Sequence, residues 1–145
     1  MRLLACCLAA ALAATTLAAC DGAAEPDDET GAARTYALAY TVDGTYAACT
    51  IRYRTADYET RTAEVRPATS GPNAGRIAWR YDTPLRVSAL DGGFGASVAA
   101  TCAADARKGK VTASVLVDGR VADTQTTADF GATAVATTDL RVGSR

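Results

Sequence analysis

The sequence predicts an all-β protein whose folded part is an immunoglobulin-like sandwich of about eight short antiparallel strands. Two Asp-Gly pairs each stand in the middle of an alternating segment. Apolar and polar residues alternate along most of the chain, and Gly- and Pro-rich turn signals separate the alternating segments. No helical repeat of apolar residues follows the first twenty positions. A closed barrel is the alternative architecture.

The clearest predicted hairpin is centred on Asp118-Gly119. Asp-Gly is a preferred pair for a type I′ turn, because both central residues of that turn need positive φ. Counting outward from the turn places Val117 opposite Arg120 and Val115 opposite Ala122. Away from the tip, one side of this ribbon is apolar and the other is polar. The pattern therefore predicts a hairpin that covers a core on one side.

A second hairpin is predicted around Asp43-Gly44. The same counting places Val42 opposite Thr45, and the apolar side of this ribbon continues along 36–42 and 45–51. Two independent Asp-Gly pairs that each produce a coherent apolar face indicate an antiparallel β domain.

The other predicted strands are shorter. The charged segment 58–66 indicates an edge strand, because charges on an exposed edge hinder pairing with other chains. The segment 66–75 is a predicted loop, and 76–82 is a strand that Pro84 is expected to break. Further strands are predicted at 85–89, 94–102 and 132–139.

The first nineteen residues have the pattern of an export signal, since Arg2 precedes an apolar run at 3–19 that ends in small residues. The ending Leu17-Ala18-Ala19-Cys20 resembles the lipobox of bacterial lipoproteins. That resemblance implies that Cys20 is diacylated and becomes the mature amino terminus. An uncleaved membrane anchor or ordinary secretion is the alternative. The sequence thus predicts a lipid-anchored protein on the extracytoplasmic face of the cell membrane.

An acidic linker at 20–33 joins Cys20 to the β domain, which is predicted to cover 34–142. The linker has five carboxylates and no aromatic residue, so it cannot bury enough apolar surface to fold. As a flexible coil, its 13 residues after Cys20 would span about 20 Å on average. We expect a disordered tether.

Two cysteines, Cys49 and Cys102, fall on predicted inward faces of strands. Disulfides persist in exported proteins, and we therefore predict a bond between them. Two buried free thiols, acting as small apolar residues, are the alternative.

The sequence offers little for catalysis. It contains no histidine, which removes the commonest general base and metal ligand. The segment around Ser97 lacks the second glycine of a nucleophile elbow, and no cysteine pair has zinc spacing. Asp57, Glu59 and Glu64 are interpreted as solvated charges on an edge strand. We predict a protein that is not an enzyme and has no metal or cofactor, and the charge distribution does not indicate nucleic-acid binding.

Trp79 and Tyr81 alternate with arginines along the segment 76–82. Large aromatic residues with this spacing are typical of a core. A pocket for a lipid or an aromatic ligand beside them is the alternative, and it makes these two residues the candidate ligand or partner site.

Three segments carry a resemblance to a known family. They are a Tyr-rich first strand leading into Thr50-Ile51-Arg52-Tyr53, the triplet Trp79-Arg80-Tyr81, and the segment 115–121 followed by a Thr-rich strand. In this order they resemble the mycobacterial membrane protein small (MmpS) family of transport accessory proteins. The resemblance implies an outward-facing β-sandwich that partners an MmpL-type transporter of the RND superfamily, which exports lipids and siderophores. In this chain a lipobox stands where the family has a retained transmembrane helix.

We therefore expect a non-enzymatic lipoprotein that assists an envelope transporter by binding it or its lipid or siderophore cargo. A free-standing lipoprotein that binds an apolar ligand is one alternative. A secreted inhibitor or adhesion module is another.

Overall fold

The computed structural model describes residues 32–103, 109–128 and 133–142, which form eight strands in two four-stranded antiparallel sheets. The strands are β1 (Ala33–Gly44), β2 (Cys49–Arg54), β3 (Thr60–Val65), β4 (Ile77–Ser88), β5 (Phe94–Cys102), β6 (Val111–Val117), β7 (Arg120–Thr127) and β8 (Thr133–Leu140). A 3₁₀ turn, Ala89–Asp91, joins β4 to β5. The predicted signal, the lipid-bearing Cys20 and nearly all of the acidic linker lie outside the described residues.

The two sheets enclose one apolar core between them. Sheet A has the strand order β4-β1-β6-β7, and sheet B has the order β3-β2-β5-β8. Alternate residues of the strands point into the space between the sheets and are buried. The predicted all-β, two-layered architecture is therefore confirmed, including about eight strands and an edge position for the charged strand β3.

The longest strands, β1 and β4, form the most extensive pairing in the protein. β1 lies inside sheet A, with β4 on one side and β6 on the other. Two tyrosines on its inward face reach across to sheet B. The hydroxyl of Tyr36 donates to the carbonyl oxygen of Arg141 at 2.7 Å, and the hydroxyl of Tyr40 donates to that of Arg54 at 2.8 Å. These bonds fix β1 against the opposite sheet.

The predicted hairpin at Asp43-Gly44 is wrong. Both residues continue β1, where Asp43 is opposite Ala78 and Gly44 is opposite Ile77, and neither has a positive φ. The glycine is used for a close approach, because a Cβ added to Gly44 would meet the carbonyl oxygen of Lys110 at 3.0 Å. After Gly44 the chain crosses to sheet B, so β2 pairs with β3 and β5 and has no pairing with β1.

The predicted hairpin at Asp118-Gly119 is confirmed, with φ of 51° and 77° at the two turn residues. The predicted register of this hairpin is correct only for the two residue pairs next to the turn. A β-bulge places Val115 opposite Asp123, where counting had placed Ala122. The bulge turns Asp123 toward β8, and its carboxylate accepts the backbone N–H of Thr137 at 2.7 Å. Asp123 thus links β7 and β8, which are edge strands of the two sheets.

Pro84 does not break β4, contrary to the prediction, and the strand runs through it from Ile77 to Ser88. Pro84 lies opposite Ala37 of β1, and the backbone of Ala37 forms its hydrogen bonds on the side away from β4. Ala37 N–H donates to Asp118 Oδ1, and Ala37 C=O accepts from Asp118 N–H, both at 2.9 Å. The pair of Ala37 and Pro84 therefore needs no hydrogen bond. The missing N–H of Pro84 faces away from the sheet, which is the position that an edge strand allows to proline.

Cys49 and Cys102 form the predicted disulfide. They lie directly opposite each other on β2 and β5, with their Cα atoms 4.0 Å apart, and both are buried. The bond therefore joins neighbouring strands of sheet B. In antibody domains the corresponding bond joins the two sheets, so the immunoglobulin-like part of the fold prediction stays a prediction.

Replacing both cysteines by alanine should lower the free energy of unfolding by about 4 kcal/mol in the chain-entropy model, because the bond closes a loop between residues separated by 53 positions. Urea unfolding followed by circular dichroism measures this difference. Wild-type protein unfolded with a reductant should match the double variant. A double variant within about 0.5 kcal/mol of oxidised wild type would contradict the assignment.

Candidate binding surface

A groove runs along β1 on the outer face of sheet A. The small side chains of Ala37 and Ala39 form its floor, since taller residues of β4 and β6 rise on both sides. We call it the β1 groove, and its volume is about 480 Å³. It is lined by Thr35, Tyr36, Ala37, Leu38, Ala39, Arg80, Asp82, Thr83, Pro84, Leu116 and Gly119. This volume lies within the range of small-ligand sites.

The walls of the β1 groove come from strands that are distant in sequence. Pro84 contributes an apolar wall from β4, and Leu116 contributes the facing wall from β6. Ala39 points outward, yet it is only 5% exposed, because its neighbours cover it. Beside Leu116, its hairpin partner Val121 leaves 60% of its surface in contact with solvent. The groove and this valine are therefore neighbouring apolar features of the outer face of sheet A.

Two ion pairs border the groove. On β4, Arg80 Nε donates to Asp82 Oδ2 at 2.8 Å and Arg80 Nη2 donates to Asp82 Oδ1 at 2.6 Å. These hydrogen bonds lower the pKa of the Asp82 carboxyl and raise the pKa of the Arg80 guanidinium. Near the hairpin turn, Arg34 Nη2 lies 3.4 Å from Asp118 Oδ2. Since each charge has a partner of opposite sign, the rim of the groove carries no net charge, and the site favours a ligand whose contacting surface is apolar.

Trp79 and Tyr81 lie on the opposite, inner face of β4 and are half-buried. Their rings pack with Tyr53 of β2, with centroids 5.0 Å from Trp79 and 4.7 Å from Tyr81. This aromatic cluster packs β4, an edge strand of sheet A, against β2 of sheet B. The β1 groove does not include either residue. The sequence pointed to the aromatic residues, whereas the groove arises from small side chains whose neighbours could be known only from the strand order.

Tyr40 extends the aromatic cluster into the core, where its ring stacks near Tyr81 with the centroids 6.3 Å apart. The residue has no exposed surface. Burial raises the pKa of Tyr40 to about 12, because the anion would lose its hydration. The hydroxyl of Tyr40 therefore stays neutral and donates its hydrogen bond to the carbonyl oxygen of Arg54.

The residues considered for catalysis are dispersed. Ser97 lies on β5, Asp57 and Glu64 are exposed, and Glu59 pairs with Arg61 at 3.4 Å. Within residues 32–103, 109–128 and 133–142, no group of three or more His, Cys, Asp or Glu side chains could hold a metal ion. The same ranges contain no helix long and apolar enough to cross a membrane.

No protein-family model matches the sequence, and no curated protein matches it.

Replacing Tyr40 by phenylalanine should change how stability depends on alkaline pH. The pKa of folded Tyr40 is about 12, above the ordinary value of 10.0, so the unfolded chain loses this proton first. The resulting stabilisation is complete below pH 10 and is lost as the pH rises through 12, with a size on the order of 2 kcal/mol. Tyr40→Phe should remove this part of the alkaline decline, and it should cost about 1 kcal/mol at neutral pH through loss of the hydrogen bond to Arg54.

Chemical denaturation at a series of pH values between 8 and 12 measures the effect. Tyr58→Phe is the matched control, because Tyr58 is 44% exposed, and it should keep the wild-type decline. An unchanged decline in Tyr40→Phe would show that Tyr40 does not titrate as its burial requires.

Proposed function

We propose that this protein is a non-enzymatic binding module, held at the extracytoplasmic face of the cell membrane by acyl chains on Cys20. Its partner is an envelope transporter of the RND superfamily, of the MmpL type, which it assists as an accessory protein. The observation that carries the proposal is the β1 groove, a preformed apolar depression with a charge-neutral rim. The sequence resemblance to the MmpS family supplies the class of partner.

The side chains of the groove favour binding of a partner over catalysis of a reaction. Its floor and walls consist largely of methyl groups, backbone and proline ring, contributed by Ala37, Ala39, Pro84 and Leu116. Its ionisable groups, Arg80 and Asp82, are hydrogen-bonded to each other and exposed to solvent. A proton-transfer site needs a group whose pKa is poised near the working pH, and this ion pair holds both groups away from that range. An apolar ridge of a partner protein is the occupant that fits best.

The position of the groove suits a partner in the membrane. The groove begins at Thr35, close to the point where β1 starts at Ala33. The 13 residues that separate Cys20 from Arg34 would span about 20 Å as a coil. A domain tethered in this way presents the start of β1, and hence this end of the groove, within reach of the extracytoplasmic part of a transporter.

A second function, a free-standing lipoprotein that binds an apolar ligand, is favoured by the volume and apolar floor of the same groove. Native mass spectrometry of the protein after gentle extraction separates the two functions. A copurifying lipid or siderophore in the absence of a transporter supports the carrier. Recovery of a transporter supports the accessory role.

Ala37→Arg should abolish the interaction with the transporter, because a long charged side chain at this position fills the groove and must be desolvated on binding. Crosslinking in intact membranes, followed by affinity purification of the protein and quantification of the copurifying transporter, measures the effect. We expect recovery to fall by at least about tenfold, equivalent to roughly 1.4 kcal/mol.

Thr62→Arg is the matched control. It adds the same side chain at an exposed position of β3, on the other sheet, and should leave recovery unchanged. Equal recovery of the transporter with Ala37→Arg and wild type would remove the groove from the interaction. Failure of wild type to recover any envelope transporter would overturn the accessory role itself.

A further inference from the structure

The outer edge of β4 carries backbone groups that point away from sheet A. The backbone of Ala37 bonds to Asp118, so its partner Pro84 is not hydrogen-bonded to β1 and faces outward. In an antiparallel ladder the bonding direction alternates along the strand, and the pairing of β1 with β4 is regular over its whole length. The N–H and C=O groups that face outward together with Pro84 include those of Ala78, Arg80, Asp82 and Arg86. No strand within the described residues pairs with this edge.

The charges on this edge have an unusual arrangement. Charges of one sign would repel a second copy of the same strand in every register. Arg80 and Asp82 have opposite signs and stand symmetrically on either side of Tyr81. Both side chains are exposed, at 56% and 60%. Between Ala78 and Pro84 the edge is therefore self-complementary about Tyr81.

We propose that two copies of this chain pair through β4, antiparallel and centred on Tyr81, and so form one continuous eight-stranded sheet. In this register Arg80 lies opposite Asp82 of the second copy, and Asp82 lies opposite Arg80 of the second copy. Each of these two residue pairs exchanges both backbone N–H···O=C bonds. Ala78 N–H donates to Pro84 C=O of the second copy, and the missing N–H of proline marks where the pairing ends.

Within the paired segment, from Ala78 to Pro84, electrostatics selects this register from its neighbours. If the centre of the pairing moves from Tyr81 to residue 80, Arg80 lies opposite Arg80 of the second copy. If it moves to residue 82, Asp82 lies opposite Asp82 of the second copy. Like charges directly opposite each other destabilise a strand pair, whereas opposite charges stabilise it. The guanidinium of Arg80 has five N–H donors, and the contacts with Asp82 of its own chain engage only its Nε and Nη2 atoms. It can therefore bridge both carboxylates.

The pairing also accounts for the half-buried aromatic residues on the inner face of β4. Tyr81 would meet Tyr81 of the second copy at the twofold axis, and Trp79 would lie opposite Thr83 of the second copy. Joining the edges covers surface of these rings that one copy leaves in water. The β1 grooves of the two copies then lie on the same face of the joined sheet, on either side of the axis.

Sedimentation velocity of the full-length chain in mild detergent, over a concentration series, tests the proposal. Edge-to-edge contacts are small, so we expect a concentration-dependent dimer. Arg80→Asp alone and Asp82→Arg alone place like charges opposite each other and should raise the dimer dissociation constant by about tenfold or more. The double variant with both changes restores opposite charges in the same register and should recover the wild-type constant.

Thermal unfolding of each variant verifies that the domain remains folded, since both side chains are exposed. A wild type that stays monomeric at all concentrations would overturn the proposal. So would single variants that dimerise as wild type does, or a double variant that fails to recover. Binding of an extended peptide to monomeric wild type at this edge would assign the edge to a different partner and would likewise overturn it.

Discussion

The arrangement of this protein depends on the burial of β1. The strand is hydrogen-bonded on both sides within sheet A, and its inward side chains fill the space up to sheet B. Its tyrosines are long enough to place a hydroxyl at the opposite sheet, where the backbone carbonyl oxygens of Arg54 and Arg141 accept hydrogen bonds from them. A buried tyrosine hydroxyl without a partner is costly, so these bonds set both the separation and the alignment of the two sheets.

The same strand determines the outer surface. Because β1 lies between two neighbours, its small outward residues become the floor of a groove, with walls that the neighbours supply. Asp118 completes this construction, since its backbone and carboxylate bond to Ala37 beyond the end of β6. That bond also directs the backbone of β4 outward at Pro84. The groove and the free edge of β4 are therefore two consequences of the way β1 is paired.

Much of the fold could be predicted because alternation with a period of two is a local property of the chain. The inward faces of β1, β5 and β6, the turn at Asp118-Gly119, the edge position of β3 and the disulfide all follow from such patterns. Strand partners could not be predicted in the same way. Asp43-Gly44 has the composition of a turn, but the close approach of Lys110 to Gly44 and the burial of Tyr46 keep the chain extended and then direct it to the other sheet. The bulge at Ala122 accompanies a hydrogen bond between β7 and β8 that no local pattern indicates. The groove was missed for the same reason, since its residues come from three strands.

Contacts between backbone protons of β1 and its neighbours test its central position most directly, and nuclear magnetic resonance measures them. Pairs that are not hydrogen-bonded bring their Hα atoms close together in an antiparallel sheet. The structure requires such contacts from Ala39 to Asp82 on one side and from Tyr40 to Val115 on the other. A contact between the Hα atoms of Thr41 and Tyr46, which a hairpin at Asp43-Gly44 would produce, would contradict this account.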